Sequence, residues 1–254
     1  MGVKTPLMLE EVTPYLDVRT MRPTSDGVRD TVYILDDRYV LKRFEQSSPS
    51  SVREEVELLG LCASLPVPRV LTPVLEIRGK PALVYEKCRG ESPRSASADE
   101  IAQIGAFLRD FHALTRGRRS TNPPLFSPER LYTLIEQTDH PPFRELFERL
   151  SPPLRDEGVI HGDLFLDNAS FDGGSLSCVY DLSEACNGDF LFDLAVAALS
   201  WCPDDAGMEV LLESYGTAVS MESFREYIRY AGLYYSVTRF LAGRNFDDLW
   251  EKIQ

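Results

Sequence analysis

The feature of this chain that most constrains its fold is a polar loop between a short apolar strand and a hairpin. Residues 158–160 are apolar enough for a buried strand, and residues 169–171 and 176–180 predict two more. Residues 172–175, with the sequence Asp-Gly-Gly-Ser, separate the last two strands and are typical of a tight hairpin turn. The segment therefore predicts a strand, a loop and an antiparallel hairpin, in that order.

Polar side chains occupy the loop and both ends of the predicted hairpin. Asp163 lies in the loop, Asn168 enters the first strand of the hairpin, and Asp181 follows its second strand. Because an antiparallel hairpin returns to the end at which it began, we expect Asn168 and Asp181 to lie close together beside Asp163.

The spacing of these residues is typical of phosphoryl transfer. An Asp, an Asn five residues later and a second Asp after a hairpin predict one carboxylate for the acceptor hydroxyl and two hard oxygen ligands for Mg²⁺. Each residue alone is a common loop residue, and only the combination favours catalysis. We therefore predict Asp163 as the catalytic residue, Asn168 and Asp181 as metal ligands, and His161 as a hydrogen-bonded structural histidine.

Composition predicts a globular, cytoplasmic protein that binds neither nucleic acid nor membrane. The chain has 254 residues, 43% of them hydrophobic and 26% charged, and a net charge of −13, which disfavours polyanionic partners. No apolar run is long enough for a membrane span, and no cationic, apolar leader begins the chain. The five cysteines form no C-x-x-C pair, so we expect neither a zinc site nor a disulfide framework.

The N-terminal third contains residues suited to a nucleotide site. Residues 31–35 and 39–44 predict a hairpin with Lys42 inside an apolar strand. An isolated lysine there would be a solvated side chain, but with the later motif it becomes the predicted partner of the ATP phosphates. Ser25 and Gly27, just before the hairpin, are candidates for a loop whose backbone N–H groups approach phosphate.

A helix from Pro49 to about Leu65, with Ser48 as its N-cap, offers a glutamate partner for Lys42. On a helical wheel Glu55 lies within the apolar face, whereas Glu54 lies at its edge. Glu54 is also the last residue of a possible capping box, Ser51-Val52-Arg53-Glu54. Periodicity alone therefore favours Glu55.

The polar segment after the next strands predicts a linker between two lobes. Two strands, 69–77 and 81–85, precede it, and we place a β-rich nucleotide-binding lobe at residues 1–85, a hinge at 86–91 and a helical lobe with the acceptor site at 92–254. Exposed backbone groups of the hinge, including those of Glu86 and Cys88, are candidates to bind an adenine edge.

The second lobe is predicted to be mainly helical. Ser97-Ala98-Asp99-Glu100 is a capping box, and the apolar periodicity of residues 190–201 and 221–243 predicts two more helices. His112, beside the first apolar stripe, is predicted to be a satisfied core histidine. The proline-containing segments, 122–128 and 141–142, are predicted to be loops.

Several motifs together resemble the aminoglycoside phosphotransferase superfamily of small-molecule kinases. The motifs are 161–168, Asp181, Lys42, 65–70 and 192–195. The resemblance implies an α+β, two-lobed protein-kinase-like fold that binds ATP and Mg²⁺. Counting back from the Leu-Pro-Val-Pro motif, it places the helix glutamate on Glu54, and it implies that Asp193 supports the catalytic loop.

Within this superfamily the chain is most similar to the kinase-like type of homoserine kinase. The similar segments are 27–33, 163–168, 185–202 and 239–244. This implies a small acceptor with a hydroxyl group, such as an amino-acid alcohol. We predict Glu184 or Asp189 for its ammonium and Arg239 or Arg244 for its carboxylate, because buried charges need partners. An aminoglycoside- or choline-type kinase and a catalytically inactive nucleotide-binding regulator are the alternatives.

Overall fold

The structure, a computed structural model, describes residues 3–24 and 29–254. The chain divides into two compact units. The smaller unit comprises Met1–Gly90 and Ser177–Ser183, and the larger comprises Glu91–Leu176 and Glu184–Gln254. The predicted division at residues 86–91 had placed Ser177–Ser183, which contains Asp181, in the second lobe. In the structure this segment belongs to the smaller unit.

The smaller unit is built on an antiparallel sheet with the strand order β1-β2-β3-β5-β4. Its elements within the described residues are β1 (Met21–Pro23), β2 (Thr31–Leu35), β3 (Tyr39–Arg43), α1 (Pro49–Leu61), β4 (Leu75–Ile77) and β5 (Lys80–Glu86). The predicted hairpin of β2 and β3 is confirmed, and Asp36 and Asp37 form its turn with φ of 48° and 56°. Positive φ at both central residues matches the twist of the strands.

The pairing register divides the residues of this sheet between two faces. Tyr33 pairs with Leu41 and Leu41 with Val84, and partners directly opposite each other share a face. That face carries an apolar cluster, whose buried members are Leu7, Val12, Val18, Tyr33, Leu35, Leu41, Leu75, Ile77, Ala82 and Val84. Lys42 pairs with Val32 and Leu83 and so lies on the opposite face.

Helix α1 begins as predicted and ends earlier than predicted. Ser48 caps it by accepting a hydrogen bond from the N–H of Ser51, and Pro49 is its first residue. The helix ends at Leu61 instead of about Leu65. Pro66 disfavours helical backbone at Leu65, so the helix cannot continue through the Leu-Pro-Val-Pro segment.

The larger unit is mainly helical. Its elements are α2 (Ala98–Thr115), α3 (Pro128–Ile135), α4 (Pro141–Phe147), β6 (Gly158–Ile160), β7 (Ala169–Asp172), the start of β8 (Ser175–Val179), β9 (Cys186–Gly188), α5 (Phe190–Trp201), α6 (Asp205–Tyr215), α7 (Met221–Leu241) and α8 (Asp247–Lys252). Helix α5 is buried along almost its whole length. Among the helices of the described ranges, none is long and apolar enough to cross a membrane.

Two sequence expectations in this unit are wrong. Pro141 and Pro142 open helix α4 instead of lying in a loop. Residues 122–127 are irregular as predicted, and only Pro128 of that segment is helical, as the first residue of α3. Proline is compatible with the first turn of a helix because the N–H that it lacks would have no partner there. Strand β9, which pairs with β6, was not predicted because its sequence, Cys-Asn-Gly, has no apolar run.

The hairpin that follows the catalytic motif is confirmed. Strands β7 and β8 form a two-stranded sheet. Gly173 and Gly174, between the two strands, both have positive φ, 58° and 82°, as a two-residue hairpin turn requires. The Asp-Gly-Gly-Ser signal thus identified the turn correctly.

Two glycines in helices provide opposite tests of helix packing. A Cβ atom at Gly60 of α1 would meet no atom within 4 Å, whereas one at Gly105 of α2 would lie 2.7 Å from the carbonyl oxygen of Leu211 in α6. We expect Gly60→Ala to raise the free energy of unfolding by about 0.5–1 kcal/mol, because alanine favours the helix. We expect Gly105→Ala to lower it by about 1–3 kcal/mol through overpacking. Urea unfolding followed by circular dichroism measures both, and stabilisation by Gly105→Ala would contradict the close approach of α2 and α6.

Candidate active site

Residues 161–168 of the larger unit form the predicted catalytic loop, and this loop brings Asp163 and Asn168 together, as predicted. The Asn168 side-chain nitrogen Nδ2 donates to the Asp163 backbone oxygen at 2.7 Å and to Asp163 Oδ2 at 3.0 Å. A short 3-10 turn, Leu166–Asn168, makes this return possible. Because both neighbours are acceptors, the amide must present its nitrogen to Asp163, which directs its Oδ1 away from that carboxylate.

Asp193 in α5 holds the backbone of the catalytic loop. Its Oδ2 accepts from the N–H of His161 at 2.8 Å, and its Oδ1 accepts from the N–H of Gly162 at 2.8 Å. His112 Nε2 lies 2.9 Å from Oδ2 and completes the set of donors. Burial by itself raises the pKa of Asp193, but the hydrogen bond and charge of His112, with the N–H of Gly162, outweigh it and hold that pKa below its usual value. The supporting role of Asp193 and the core position of His112 are confirmed.

Helix α7 contacts the same loop through Tyr235. The Tyr235 hydroxyl donates to the carbonyl oxygen of Gly162, and its ring packs edge-on against Phe165 at 4.8 Å between centroids. Burial, followed by the negative charge of Asp163, raises the pKa of Tyr235 well above its usual value, so it remains a donor. Gly162 has φ of 77°, and a Cβ atom there would lie 2.7 Å from the Phe126 ring. Only glycine satisfies both conditions.

Lys42 in the smaller unit lies among carboxylates. Its Nζ is 2.7 Å from Asp181 Oδ1 and 3.5 Å from Asp30 Oδ2, and its side chain is 11% exposed. Burial alone would lower the pKa of Lys42, but attraction to Asp181, then Glu55 and Asp30, outweighs it and raises that pKa. Lys42 is therefore a buried, charged cation and not a solvated surface lysine.

The Asp181 side chain is hydrogen-bonded on one oxygen and partly exposed to solvent. Its Oδ1 also accepts from Ser183 Oγ at 2.6 Å, and its side chain is 39% exposed. Its φ of 64° is a left-handed conformation that aspartate tolerates better than most residues. A partly exposed carboxylate of fixed orientation is suited to bind a cation.

The α1 glutamate whose charge acts on Lys42 is Glu55, and the assignment to Glu54 from the resemblance stays a prediction. Glu55 is buried, and its Oε1 accepts from the Tyr85 hydroxyl at 2.9 Å. Burial is the main cause of its raised pKa, and the positive charge of Lys42 acts in the opposite direction. Glu54 is only partly buried, because it lies at the edge of the apolar face of α1. The helical wheel had placed Glu55 in the apolar face correctly, since it is buried.

The predicted hinge contains an unexpected disulfide. Cys88 is bonded to Cys178 of β8, so the expectation that no disulfide forms is wrong for this pair. The two residues lie 90 positions apart in sequence, so spacing contained no signal for their pairing. The N–H of Glu86 donates to the carbonyl oxygen of Arg69 at 2.8 Å, which occupies one of the backbone groups predicted to bind adenine.

Ser25 and Gly27, predicted for the phosphate loop, lie outside the described residues. Their part in nucleotide binding stays a prediction. The described chain resumes at Arg29, and the buried Asp30 follows directly.

Asp189, one of the predicted acceptor residues, has a structural role instead. It caps α5, with Oδ1 accepting from the N–H groups of Leu191 and Phe192, and its Oδ2 accepts from the N–H of Arg155 at 2.7 Å. Both oxygens of this buried carboxylate are thus occupied by backbone donors. The expectation that Asp189 binds an ammonium is corrected, because aspartate before a helix serves as an N-cap.

The other predicted acceptor residues lie in different environments. Arg239 Nη1 pairs with Asp248 Oδ1 at 3.0 Å and Oδ2 at 3.1 Å, and its guanidinium lies 5.9 Å from the Phe165 ring centroid. Arg244 is exposed, and Glu184 is partly buried at the end of a 3-10 turn. Arg239 is thus the arginine that the larger unit places beside the catalytic loop.

Sequence reasoning missed several residues of these networks. Asp30, Tyr85 and Asp248 contact Lys42, Glu55 and Arg239, and Tyr235 bonds to Gly162 beside Asp163, yet none of the four had been singled out for a role. Burial of Asp30 at 5% exposure is the kind of signal that identifies a functional carboxylate, but it requires tertiary structure.

In the described ranges no group of three or more His, Cys, Asp or Glu side chains is arranged to hold a metal ion. Asn168 in the larger unit and Asp181 in the smaller unit each carry a hard oxygen donor, and both stay predicted metal ligands. This fits Mg²⁺, which commonly takes one or two protein oxygens and completes its shell with water and substrate phosphates.

Comparison with known proteins agrees with the predicted family and fold. The phosphotransferase enzyme family matches residues 20–241. A homoserine kinase of Pseudomonas aeruginosa is 27% identical, covering 97% of this chain and 90% of that protein, and one of Chelativorans sp. is 28% identical over 80% and 72%. The GDP complex of aminoglycoside 2'-phosphotransferase-IIIa has a TM-score of 0.70 at 16% identity, covering 96% and 94%. A choline kinase from Streptococcus pneumoniae has a TM-score of 0.72 at 17% identity, covering 96% and 94%.

The fold and the family match define the class of this protein as a small-molecule kinase. The chain belongs to the phosphotransferase enzyme family. The predicted α+β, protein-kinase-like fold and the predicted enzyme class are confirmed.

The donor set around Asp193 predicts a pH-dependent contribution to stability. For Asp193→Asn we expect the free energy of unfolding near neutral pH to fall by about 3–5 kcal/mol, because one partner of a buried charged network is removed. Folding lowers the pKa of Asp193. Its contribution is therefore fully present above the unfolded-state value of about 3.9 and is lost as pH falls through the folded-state value.

Urea unfolding between about pH 3 and pH 8 measures this difference. The gap between wild type and Asp193→Asn should be constant above about pH 5 and narrow below about pH 4. Asp205→Asn, in an exposed pair with Arg225, is the control and should change stability by at most about 1 kcal/mol. A gap that widens on acidification would contradict the sign of the shift.

Proposed function

We propose that this protein transfers the γ-phosphate of ATP, with Mg²⁺, to the hydroxyl of a small molecule, most favourably an amino-acid alcohol such as homoserine. The observation that carries the proposal is the fixed geometry of Asp163, whose backbone and carboxylate both accept from Asn168 while Asp193 holds the preceding residues. The family match and the homoserine kinase relatives support the reaction class.

Asp163 is the catalytic residue in this proposal. A carboxylate held by hydrogen bonds to one oxygen can use the other to orient the acceptor hydroxyl and accept its proton as the phosphoryl group is transferred. Asn168 prevents the Asp163 side chain from turning away, since it binds Oδ2 and the backbone of the same residue. Positioning is the main contribution that protein groups make in phosphoryl transfer.

Lys42, Asn168 and Asp181 hold the phosphates and the metal in this proposal. Lys42 binds the α- and β-phosphates, and the oxygens of Asn168 and Asp181 hold Mg²⁺, which neutralises charge on the transferring phosphoryl group. Further nucleotide contacts are the backbone of Glu86 and Cys88 at adenine, and Ser25 and Gly27 at the phosphates.

The acceptor proposal rests on the pair formed by Arg239 and Asp248. An amino-acid alcohol carries one carboxylate and one ammonium, and this pair offers a partner for each. The Arg239 guanidinium lies over Phe165, only two residues from Asp163 in the catalytic loop. Glu184 is the second candidate for the ammonium, and Arg244 for the carboxylate.

An ADP-release assay with Mg²⁺-ATP tests the reaction. We expect homoserine to stimulate ADP formation more than choline, methylthioribose or an aminoglycoside. Asp163→Asn should reduce kcat by at least about 100-fold, because the general base is removed. Asp167→Asn removes an exposed carboxylate from the same loop and is the matched control, for which we expect kcat within about twofold of wild type.

The result of the acceptor panel also separates the competing functions. Preference for an aminoglycoside or choline would replace the amino-acid alcohol while retaining the kinase. Binding of ATP without ADP formation on any acceptor would favour a nucleotide-binding regulator and overturn the catalytic proposal.

Substitution of Arg239 tests the acceptor site. We expect Arg239→Ala to raise KM for homoserine at least about tenfold and leave KM for ATP unchanged, because a charge-assisted hydrogen bond to the carboxylate is lost. Selectivity for homoserine over 3-aminopropan-1-ol, which lacks the carboxylate, should fall by a similar factor. Steady-state kinetics with both acceptors provides the measurement.

Arg225→Ala is the matched control for this substitution. Arg225 also lies on α7 and pairs with an aspartate, Asp205 at 2.5 Å, in an exposed ion pair. Its replacement should alter neither KM. Equal effects of Arg225→Ala and Arg239→Ala on KM for homoserine would show that loss of a surface pair, and not of acceptor binding, is responsible.

A further inference from the structure

Three carboxylates surround Lys42 in the smaller unit, and they are held in different ways. Asp181 Oδ1 is 2.7 Å from Nζ and Asp30 Oδ2 is 3.5 Å from it. Glu55 contributes charge to the same group, but its Oε1 accepts a hydrogen bond from the Tyr85 hydroxyl. The two carboxylates in ion-pair contact with Lys42 are therefore aspartates, and neither belongs to helix α1.

Asp30 is fixed more firmly than a surface partner would be. It is 5% exposed, and its Oδ1 accepts from the backbone N–H of Glu45 at 3.0 Å. Glu45 follows β3, the strand that carries Lys42, so this bond joins Asp30 to the segment beside the lysine. One carboxylate oxygen is thus used to hold Asp30 in place, and the other faces Lys42. A buried carboxylate needs such partners, because desolvation of an unpaired charge is costly.

When the Asp181 carboxylate binds a metal ion, its electrostatic attraction to Lys42 is weakened. In the proposed function Asp181 binds Mg²⁺, and the cation then competes with Lys42 for the same carboxylate. Lys42 would be left with its remaining carboxylates while it binds the phosphates. Glu55 is engaged by Tyr85, so Asp30 is the residue whose second oxygen is already directed at Nζ.

We propose that Asp30 is the positioning residue for Lys42, holding the ammonium in place for the nucleotide phosphates when Asp181 binds the metal. This inference rests on the proposed function, because it assumes that Lys42 binds phosphate. It assigns to a residue just before β2 a task that the sequence had suggested for a glutamate of α1.

Two charge-matched variants separate positioning from general electrostatics. Asp30→Asn retains Oδ1 as acceptor for the N–H of Glu45, and Glu55→Gln retains Oε1 as acceptor for Tyr85. Each variant removes one negative charge from the surroundings of Lys42. Both variants therefore reduce the electrostatic repulsion between the site and the negatively charged phosphates. Isothermal titration calorimetry with Mg²⁺-ATP measures the dissociation constant without any acceptor.

We expect Asp30→Asn to raise the dissociation constant of Mg²⁺-ATP about tenfold and Glu55→Gln to raise it less than about threefold. Adenosine, which lacks phosphates, should bind Asp30→Asn within about twofold of wild type. An Asp30→Asn effect no larger than that of Glu55→Gln, or an equal loss of adenosine binding, would overturn the proposal. Asp30→Ser removes the same charge and serves if the asparagine variant does not fold.

A double-mutant cycle with Lys42→Met shows whether Asp30 acts through the lysine. Lys42→Met should weaken Mg²⁺-ATP binding by itself, and adding Asp30→Asn should change it by less than about twofold. A full tenfold effect of Asp30→Asn on the Lys42→Met background would assign Asp30 a merely structural role.

The same measurements distinguish failure of this inference from failure of the proposed function. Absence of Mg²⁺-ATP binding by wild type, or an unchanged affinity in Lys42→Met, would refute the proposed nucleotide site and this inference with it. Weakened binding in Lys42→Met with unchanged binding in Asp30→Asn would refute only the role of Asp30.

Discussion

The carboxylate of Asp193 is the interaction on which the arrangement of the larger unit's active-site loop depends. It is fully buried, and it accepts from two successive backbone N–H groups of the loop and from His112. A buried charge is tolerated only when its hydrogen-bonding capacity is filled, so the backbone before Asp163 must present its N–H groups in this one arrangement. The positive φ of Gly162 follows, because the chain turns between these donors and the catalytic aspartate.

Further residues of α5 and α7 also bond to the backbone of this loop. Trp201 and Ser200, at the end of α5, bond to the backbone of Leu164 and Leu166 within the loop, and Tyr235 bonds to Gly162 from α7. The catalytic loop has almost no regular secondary structure of its own, yet two buried helices satisfy its backbone groups. A side chain that must act with sub-ångström accuracy is thereby placed on a loop whose geometry comes from rigid neighbours.

Much of this organisation could be predicted because it depends on local sequence. The wheel identified Glu55 because the face of a helix follows from its periodicity, and the Gly-Gly turn was found because few residues adopt positive φ. Asp189 was misassigned because an aspartate before a helix is suited equally to capping and to binding a cation. Cys178, the partner of Cys88, and Asp181, a partner of Lys42, were missed because they lie 90 and 139 positions away in sequence. Asp248 is only nine residues from Arg239 but belongs to the next helix, so the spacing within one helix did not predict that pair. Chain folding, and no spacing rule, brings such pairs together.

The sequence by itself predicted the class of this protein, a small-molecule kinase, from the spacing of Asp163, Asn168 and Asp181, and the family match confirms that class. It also determined the main strands and helices, because hydrophobic periodicity and turn residues act over a few positions. Only the tertiary structure decided which carboxylates face Lys42, which aspartate supports the loop through its backbone, and which arginine lies beside Phe165. The physical reason is that the energy of a buried charge depends on the groups around it in space. Those neighbours make aspartate an N-cap at Asp189, a support for loop backbone at Asp193 and an ion-pair partner of Lys42 at Asp30.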